Sequence, residues 1–458
     1  MMRLFLKAFL FLGLVSSDAM GARLVSYCSM DESKNIEGKN YRDRMPIASV
    51  SKVFTSLFAA SKFKLDHKFT TVVYYTPVAN TSGYYDVHIQ GSGDPYFNRF
   101  KMHMIISKLN EAGVTKIRLF SFDENVKYLH DTDTSRGFFV RVNGRRQLVK
   151  PLIIKSDLNF PSTELVKAQL QDTKQLLTNY NMSYAQSDKT MIKKPVFKPA
   201  SISHLKSENY KIGKNTMALF VKSQDLETIL KSTNWNSNNF SSNRLMAASG
   251  GLDDFTNFYS RLGLNHNDLK FVNGSGQNHA GINKTTEDDD GRLYNEATCE
   301  TVLRTVRALN HQVKKQNKTL QDVMSVVGVD KGSTVGGATY SNKLTYDKVV
   351  AKTGTIGTNI TLAGILNTPK GPRYFMYNVE LAFPGARVKR KAAFAKQEEN
   401  RARALISREL QNLARKHGAI ALNYKTSNPL KDNLENYDED DAIKADGLLE
   451  AVNLEPQD

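Results

Sequence analysis

The sequence predicts a mixed α/β protein in which one sheet is flanked by helices and an accessory domain is inserted. Three observations point that way. Late in the chain, Thr345 to Ala351, Asn359 to Leu366 and Tyr374 to Leu381 read as strands, the last two joined by the hairpin-like Pro369-Lys370-Gly371-Pro372. Helical patterns stand on either side: Thr298 to Leu309 carries Val302, Leu303, Val306 and Leu309 on one face, and about Arg390 to Lys416 carries Ala402, Leu405, Ile406, Leu410 and Leu413. Between an apolar helical stretch near Ser49 and renewed helical character at Asp225, the texture changes, and 458 residues exceed the usual size of one domain.

The chain opens with Arg3 and Lys7 ahead of the apolar run Ala8 to Val15, and Ala19 and Gly21 offer a cleavage site before Ala22. This reads as a secretory signal peptide over residues 1–21. No second apolar stretch approaches spanning length, so no transmembrane anchor is expected after cleavage, and the mature chain is expected to be periplasmic or secreted. The formal net charge is +17, but residues 430–458 hold ten acidic residues against Lys431 and Lys444, which leaves the rest of the chain at +25. So basic a body favours anionic partners, and export argues against nucleic acid among them. The cysteines, Cys28 and Cys299, can pair in an oxidising compartment; two do not make a disulfide framework, and their pairing stays open.

Residues 22–66 read as a strand from Arg23 to Cys28, a polar turn through Asp31 to Asn40, and a helix holding Val53, Phe54, Leu57 and Phe58. Alternation in Thr71 to Tyr75 and Asp86 to Ile89 suggests short strands, ended by the turn Gly91-Ser92-Gly93-Asp94-Pro95. A helix from about Phe100 to Ala112 follows, then strand-like pieces at Lys116 to Phe122 and Leu148 to Ile154 and a Lys-rich loop near Lys193. His88, His103, His130 and His204 stand singly, so no metal site and no cofactor are expected. Helix returns at Asp225 to Lys231 and breaks at Ser232 to Asn239, where Asn and Ser compete with the backbone for hydrogen bonds. Phe240 to Ala248 and Leu252 to Leu262 read as helices, Asn273-Gly274-Ser275-Gly276 as a turn, and Glu287 to Asp290 as an acidic loop. The resulting division is 22–66 plus 211–420 as the catalytic domain, 67–210 as an insert, and 421–458 as an acidic tail read as disordered.

The chemistry centres on Ser49-Val50-Ser51-Lys52. A residue three further along a helix shares its face, so the Lys52 amine reaches the Ser49 hydroxyl and can take its proton, provided burial or a second cation depresses its pKa. Spacing alone is weak, because Ser61 to Lys64 and Ser203 to Lys206 repeat it. Order is more specific. Ser49 to Lys52 is followed by Ser237-Asn238-Asn239 between helices, then by the single Lys352-Thr353-Gly354, with Thr355 after it. Ser232-Thr233-Asn234 and Ser241-Ser242-Asn243 fit the second element equally well in isolation.

That ordered set resembles the signature of penicillin-binding proteins and serine β-lactamases. The turns at Gly91 and Asn273 and the long interval between Ser49 and Ser237 resemble the class C low-molecular-mass penicillin-binding proteins, the D-alanyl-D-alanine carboxypeptidase/endopeptidase group of peptidase family S13, over roughly residues 23–415. Three departures stand out: Asn273 where the family usually has Asp, Gln277-Asn278 for a usual Leu-Ser, and a short insert.

The resemblance implies a transpeptidase-like domain with an antiparallel sheet. It implies that Ser49 attacks the penultimate D-alanine carbonyl while Lys52 takes its proton, and that Ser237 relays a proton to the leaving amine. Asn239 would bind the peptide amide, and Lys352 would supply a second positive charge. Thr353 would bind the substrate carboxylate, Gly354 would admit the substrate strand, and the Ser49 and Thr355 amides would form the oxyanion hole. The partners implied are peptidoglycan stem peptides and cross-links, with β-lactams as covalent inhibitors. The alternatives are a β-lactamase and a non-catalytic β-lactam sensor or wall-binding protein.

Overall fold

The computed structural model describes residues 21–128, 138–142, 145–149, 163–179, 195–264, 267–277, 293–382, 392–426 and 451–453. The expected signal peptide up to residue 20, the Lys193 loop, the acidic loop at Glu287 to Asp290 and most of the tail lie outside them. In chain order the strands are β1 (Arg23–Met30), β2 (Ile36–Lys39), β3 (Arg44–Pro46), β4 (Lys68–Pro77), β5 (Tyr84–Gln90), β6 (Lys116–Phe122), β7 (Phe138–Val142), β8 (Arg145–Val149) and β9 (Ser201–His204). They continue as β10 (Met217–Asp225), β11 (Leu269–Lys270), β12 (Glu296–Thr298), β13 (Ser325–Val326), β14 (Val349–Thr355), β15 (Asn359–Thr368), β16 (Gly371–Glu380) and β17 (Ala451–Asn453). The helices are α1 (Ser51–Lys62), α2 (Arg99–Glu111), α3 (Thr163–Asn179), α4 (Leu226–Asn236), α5 (Asn239–Ala248), α6 (Gly251–Arg261), α7 (Cys299–Lys314), α8 (Leu320–Val323) and α9 (Ala392–His417).

These elements form two compact units. The first comprises Met1–Leu57, Asn234–Ser237 and Tyr259–Ser427. Its sheet has the order β13-β14-β15-β16-β1-β2, every pair antiparallel. Alternation along the strands assigns its two faces. Val349, Ala351, Leu362, Phe375, Tyr377 and Val379 form one core with Ala402, Ile406, Leu410 and Leu413 of α9. On the other face Cys28, opposite Met376, bonds to Cys299 at the start of α7, and the Asn310 amide of α7 donates to the Tyr374 hydroxyl at 3.2 Å. The pairing left open by the sequence is therefore a disulfide that ties the sheet to α7.

The second unit comprises Phe58–Thr233, Asn238–Phe258 and Asn428–Asp458. Its sheet, ordered β17-β10-β4-β5-β6-β9, is mixed: β5, β6 and β9 run parallel, with α2 crossing over between β5 and β6. Val87, Ile89, Phe120 and Phe122 pack with Met102, Ile105, Ile106 and Leu109 of α2. Composition predicted no structure in the tail, yet its Ala451–Asn453 pairs with Met217–Leu219 of β10, whose backbone would otherwise form the sheet's edge. The helix α1 begins in the first unit and ends in the second.

Two boundaries differ from expectation. The helix expected to break at Ser232 runs to Asn236, because Ser232, Thr233, Asn234 and Trp235 are all buried and the burial outweighs their local preference. The Asn234 amide donates to Ser56 Oγ at 3.0 Å and to the Val323 carbonyl at 2.9 Å. The strand expected from Thr345 starts at Val349, since Thr345 Oγ1 instead closes a turn by donating to the Tyr340 carbonyl at 2.6 Å.

Candidate active site

Ser49 does not begin a regular α-helix but sits in the short 3₁₀ turn Ala48–Val50 that leads into α1. The turn is held from three sides. Ile47 N donates to the Asn295 carbonyl at 3.0 Å, Thr361 Oγ1 of β15 donates to the Ile47 carbonyl at 3.0 Å, and Ser51 Oγ donates to the Ala48 carbonyl at 2.6 Å. Ala48 has φ +49°, a left-handed conformation that costs a non-glycine residue roughly 1 kcal/mol or more. That strain is confined to the residue preceding the hydroxyl.

Glycines make room for this turn. A β-carbon on Gly354 would stand 2.2 Å from Thr361 Oγ1, 2.8 Å from the Ile47 carbonyl and 2.9 Å from Ala48 Cβ, and one on Gly276 would stand 2.6 Å from the Ala48 carbonyl. The space spared at Gly354 is thus occupied by the turn that carries Ser49.

Lys52 lies wholly buried with Nζ 3.0 Å from Ser49 Oγ and 3.1 Å from the Ser275 carbonyl. Burial first, and then the nearby charge of Lys352, hold its amine well below the ordinary lysine value. A neutral amine has two N–H donors and one lone pair, so an N–H given to Ser275 leaves the lone pair able to accept the Ser49 proton. Ser275 is held in turn by Asn273, whose Oδ1 accepts from Ser275 N at 3.0 Å, Ser275 Oγ at 3.2 Å and Gly276 N at 3.0 Å, while its Nδ2 donates to the Gln277 carbonyl. Thr55 Oγ1 fastens the same turn by donating to the Gly274 carbonyl at 2.8 Å. Sequence reasoning recognised Asn273 to Gly276 as a turn but gave it no part in the chemistry; a carbonyl carries no signature in sequence.

Lys352 is also wholly buried, and burial lowers it to about 7. Its Nζ donates to Ser237 Oγ and to the Thr353 carbonyl, both at 2.9 Å. Ser237, followed by Asn238, links α4 to α5 and is held at φ +55°. Its two rivals are engaged elsewhere: Ser232 Oγ accepts from the Tyr96 hydroxyl at 3.1 Å, and Ser241 Oγ lies 2.9 Å from Thr233 Oγ1. Asn239 is exposed at the start of α5, two residues along the chain from Ser237. On β14, Lys352 and Gly354 point to the face of α7, while Thr353, opposite Leu362, and Thr355, opposite Ile360, point to the face of α9. Thr353 is buried and Thr355 exposed. Among the described residues, β13 pairs only with Val350 and Ala351, and no strand covers Lys352–Thr355 on that side. Nor do those residues gather three or more His, Cys, Asp or Glu side chains able to hold a metal ion.

The first unit therefore holds two buried lysines, each on a serine hydroxyl, beside an uncovered strand edge. Residues 17–146 match the D-Ala-D-Ala carboxypeptidase 3 (S13) family and residues 204–412 the β-lactamase enzyme family. The fold and the arrangement of these serines and lysines are similar to those of penicillin-recognising serine enzymes. Within that class the chain is a relative of the S13 D-Ala-D-Ala peptidases, the class C low-molecular-mass penicillin-binding proteins.

Solved structures agree. The chain is similar to the predatory endopeptidase Bd3459 from Bdellovibrio bacteriovorus in complex with immunity protein Bd3460, at 28% identity over 89% of this chain and 97% of that one, with a TM-score of 0.71. It is also similar to the penicillin G-acylated form of that endopeptidase, at 27% identity over 94% and 100% of the two chains, with a TM-score of 0.70. Penicillin binding protein 4 (dacB) from Haemophilus influenzae shares the fold at 14% identity, covering 85% of this chain and 97% of that one with a TM-score of 0.57. No curated protein matches the chain.

Proposed function

We propose that this protein is an exported serine D,D-peptidase that hydrolyses D-alanyl bonds of peptidoglycan through an acyl-enzyme on Ser49, cleaving cross-links as an endopeptidase and stem peptides as a carboxypeptidase. The observation that carries the reading is the Lys52 amine, buried beside a second lysine and 3.0 Å from Ser49 Oγ.

In this mechanism the neutral Lys52 amine takes the Ser49 proton as Oγ attacks the D-alanyl carbonyl carbon. The Ser49 and Thr355 amides receive the oxyanion, a contribution typically worth about 3 kcal/mol for each donor. Ser237, held by Lys352, relays the proton taken up by Lys52 to the leaving amine as the peptide bond breaks, which returns Lys52 to its neutral form, and Asn239 holds the substrate's peptide amide. Water then attacks the acyl-enzyme as the neutral Lys52 takes its proton, and Lys52 returns that proton to Ser49 Oγ as the acid product leaves. Lys352 and Thr353 attract the carboxylate next to the scissile bond. β-Lactams acylate Ser49 by the same first step, the cyclic amide opening on Oγ.

The catalytic domain is proposed as 22–66 plus 211–420 and the insert as 67–210. Residues 1–21 are proposed as a cleaved signal peptide, delivering the enzyme to the periplasm or outside the cell. Among the described residues no helix is long and apolar enough to cross a membrane.

The test is mass spectrometry of purified cross-linked muropeptides incubated with the wild type and Ser49→Ala, with penicillin-treated protein alongside. Split dimers and a penicillin adduct on Ser49, both lost in the variant, are expected. Intact dimers beside trimmed pentapeptides would remove the endopeptidase part, and a penicillin adduct released within seconds would favour a β-lactamase.

A further inference from the structure

At the end of β14 a second cation meets the strand. Arg403, on α9, donates from Nη2 to Thr355 Oγ1 at 3.2 Å, and its other neighbours are Glu399 Oε2 at 3.5 Å and the buried Tyr340 phenol. Its side chain is 22% exposed, so it is packed on one side and open to solvent on the other. Helix spacing brings Glu399 and Arg403 to one face, and Glu399 braces the arginine stem from the turn before.

The chemistry of this contact has a direction. A guanidinium has five donors and no acceptor, so at the Thr355 hydroxyl it can only be the donor. Thr355 Oγ1 is therefore the acceptor, and its own proton is turned away from Arg403. Thr355 is exposed on the same uncovered strand that presents Lys352 and Thr353. An O–H polarised from behind by a cation and aimed outward suits an anionic acceptor, and a carboxylate takes hydrogen bonds of this charge-assisted kind more strongly than a neutral carbonyl does.

We propose that Arg403 is a positioning residue for substrate selection: through Thr355 it sets an O–H donor for the carboxylate next to the scissile bond, and so favours acyl donors that carry a free carboxylate there. The inference rests on the D,D-peptidase reading above. Lys352 lies on the opposite face of β14, and Arg403 contacts Thr355, Glu399 and Tyr340 rather than the Ser49–Lys52 pair.

The test compares acylation of Ser49 by benzylpenicillin, which bears a free carboxylate, with acylation by its methyl ester, which does not, for the wild type, Arg403→Ala and Arg403→Lys, each checked for folding by thermal unfolding. The expected result is a loss of about tenfold or more for benzylpenicillin in Arg403→Ala, the size of one charge-assisted hydrogen bond. The ester should change by less than about twofold, and Arg403→Lys should recover part of the loss. Equal losses with both compounds would overturn the proposal, since mere support of the fold does not distinguish them, and so would the absence of any loss. Wild-type protein that takes no penicillin would overturn the D,D-peptidase reading and this inference with it; normal wild-type acylation with an indifferent Arg403→Ala would strike the inference alone.

Discussion

Gly354 passes so close to Ala48 that a β-carbon on it would lie 2.9 Å from the Ala48 methyl, closer than such atoms pack. The strand proposed to receive substrate and the turn that carries the proposed nucleophile are therefore fitted to one another at a single glycine. Gly354→Ala is expected to push the Ile47–Ala48 turn off β14 and lower the rate of penicillin acylation by about a hundredfold or more, while overpacking costs about 1–3 kcal/mol of stability. Acylation kinetics beside a urea unfolding curve would check it. An unchanged acylation rate would show that the turn is set by other contacts.

The two lysines should give acylation a characteristic pH dependence. Lys52 acts as a base only when neutral, so the rate falls as pH drops through its lowered value. Lys352 attracts a carboxylate only while charged, so the advantage of anionic substrates fades as pH rises past about 7. Lys352→Met should remove that alkaline fall. It should also shift the acid limb upward, because Lys52 loses the neighbouring charge that helps to depress it.

The same lysine bears on stability. Lys352 titrates at about 7 in the fold against 10.5 ordinarily, so between those values the unfolded chain binds the extra proton. Its contribution to stability therefore rises with pH across that window, and the cost of burying the charge is fully present below about pH 7. Lys352→Met should stabilise the protein near pH 7 and flatten this part of the curve, read as unfolding midpoints from pH 6 to 10, roughly the span of the shift.

Asn273 organises the carbonyl that steadies Lys52. Asn273→Ala removes the acceptor for Ser275 and Gly276 and should cost about 1–3 kcal/mol of stability along with most of the acylation rate. Asn273→Asp keeps that acceptor and loses only the donation to Gln277, so it should retain more activity than the alanine variant. Measuring both rates side by side would settle whether the turn depends on the oxygen or the amide nitrogen.

Removing the disulfide by Cys28→Ser with Cys299→Ser should lower stability by about 2–5 kcal/mol and leave the acylation rate within about twofold when measured well below the melting point. Denaturation with and without a reductant would check the wild type in the same way.

Much of this was legible in the residues. Arg23 to Cys28 and Lys116 to Phe122 read as strands and form them, and the buried face of α9 read from helical spacing agrees with its burial. Ser49, Lys52, Ser237 and Lys352 stand out by their order along the chain, and the fold brings them into two serine–lysine contacts. What stayed hidden depended on partners distant in sequence. Ser232 to Asn236 looks like a loop until Ser56 and the Val323 carbonyl are there to take the Asn234 amide. The Ser275 carbonyl and Arg403 reach the site through the path of the backbone and the packing of a helix, neither of which leaves a motif.

The bond between Cys28 and Cys299 spans 271 residues of sequence, so it also says something about the order in which the protein can be made. In synthesis from the N-terminus Cys28 precedes its partner by the turn that carries Ser49 and the whole of the β4–β10 sheet. With only two cysteines in the sequence no wrong partner within the chain can capture it. Mispairing of these cysteines therefore needs a thiol from outside the chain, such as that of a second copy.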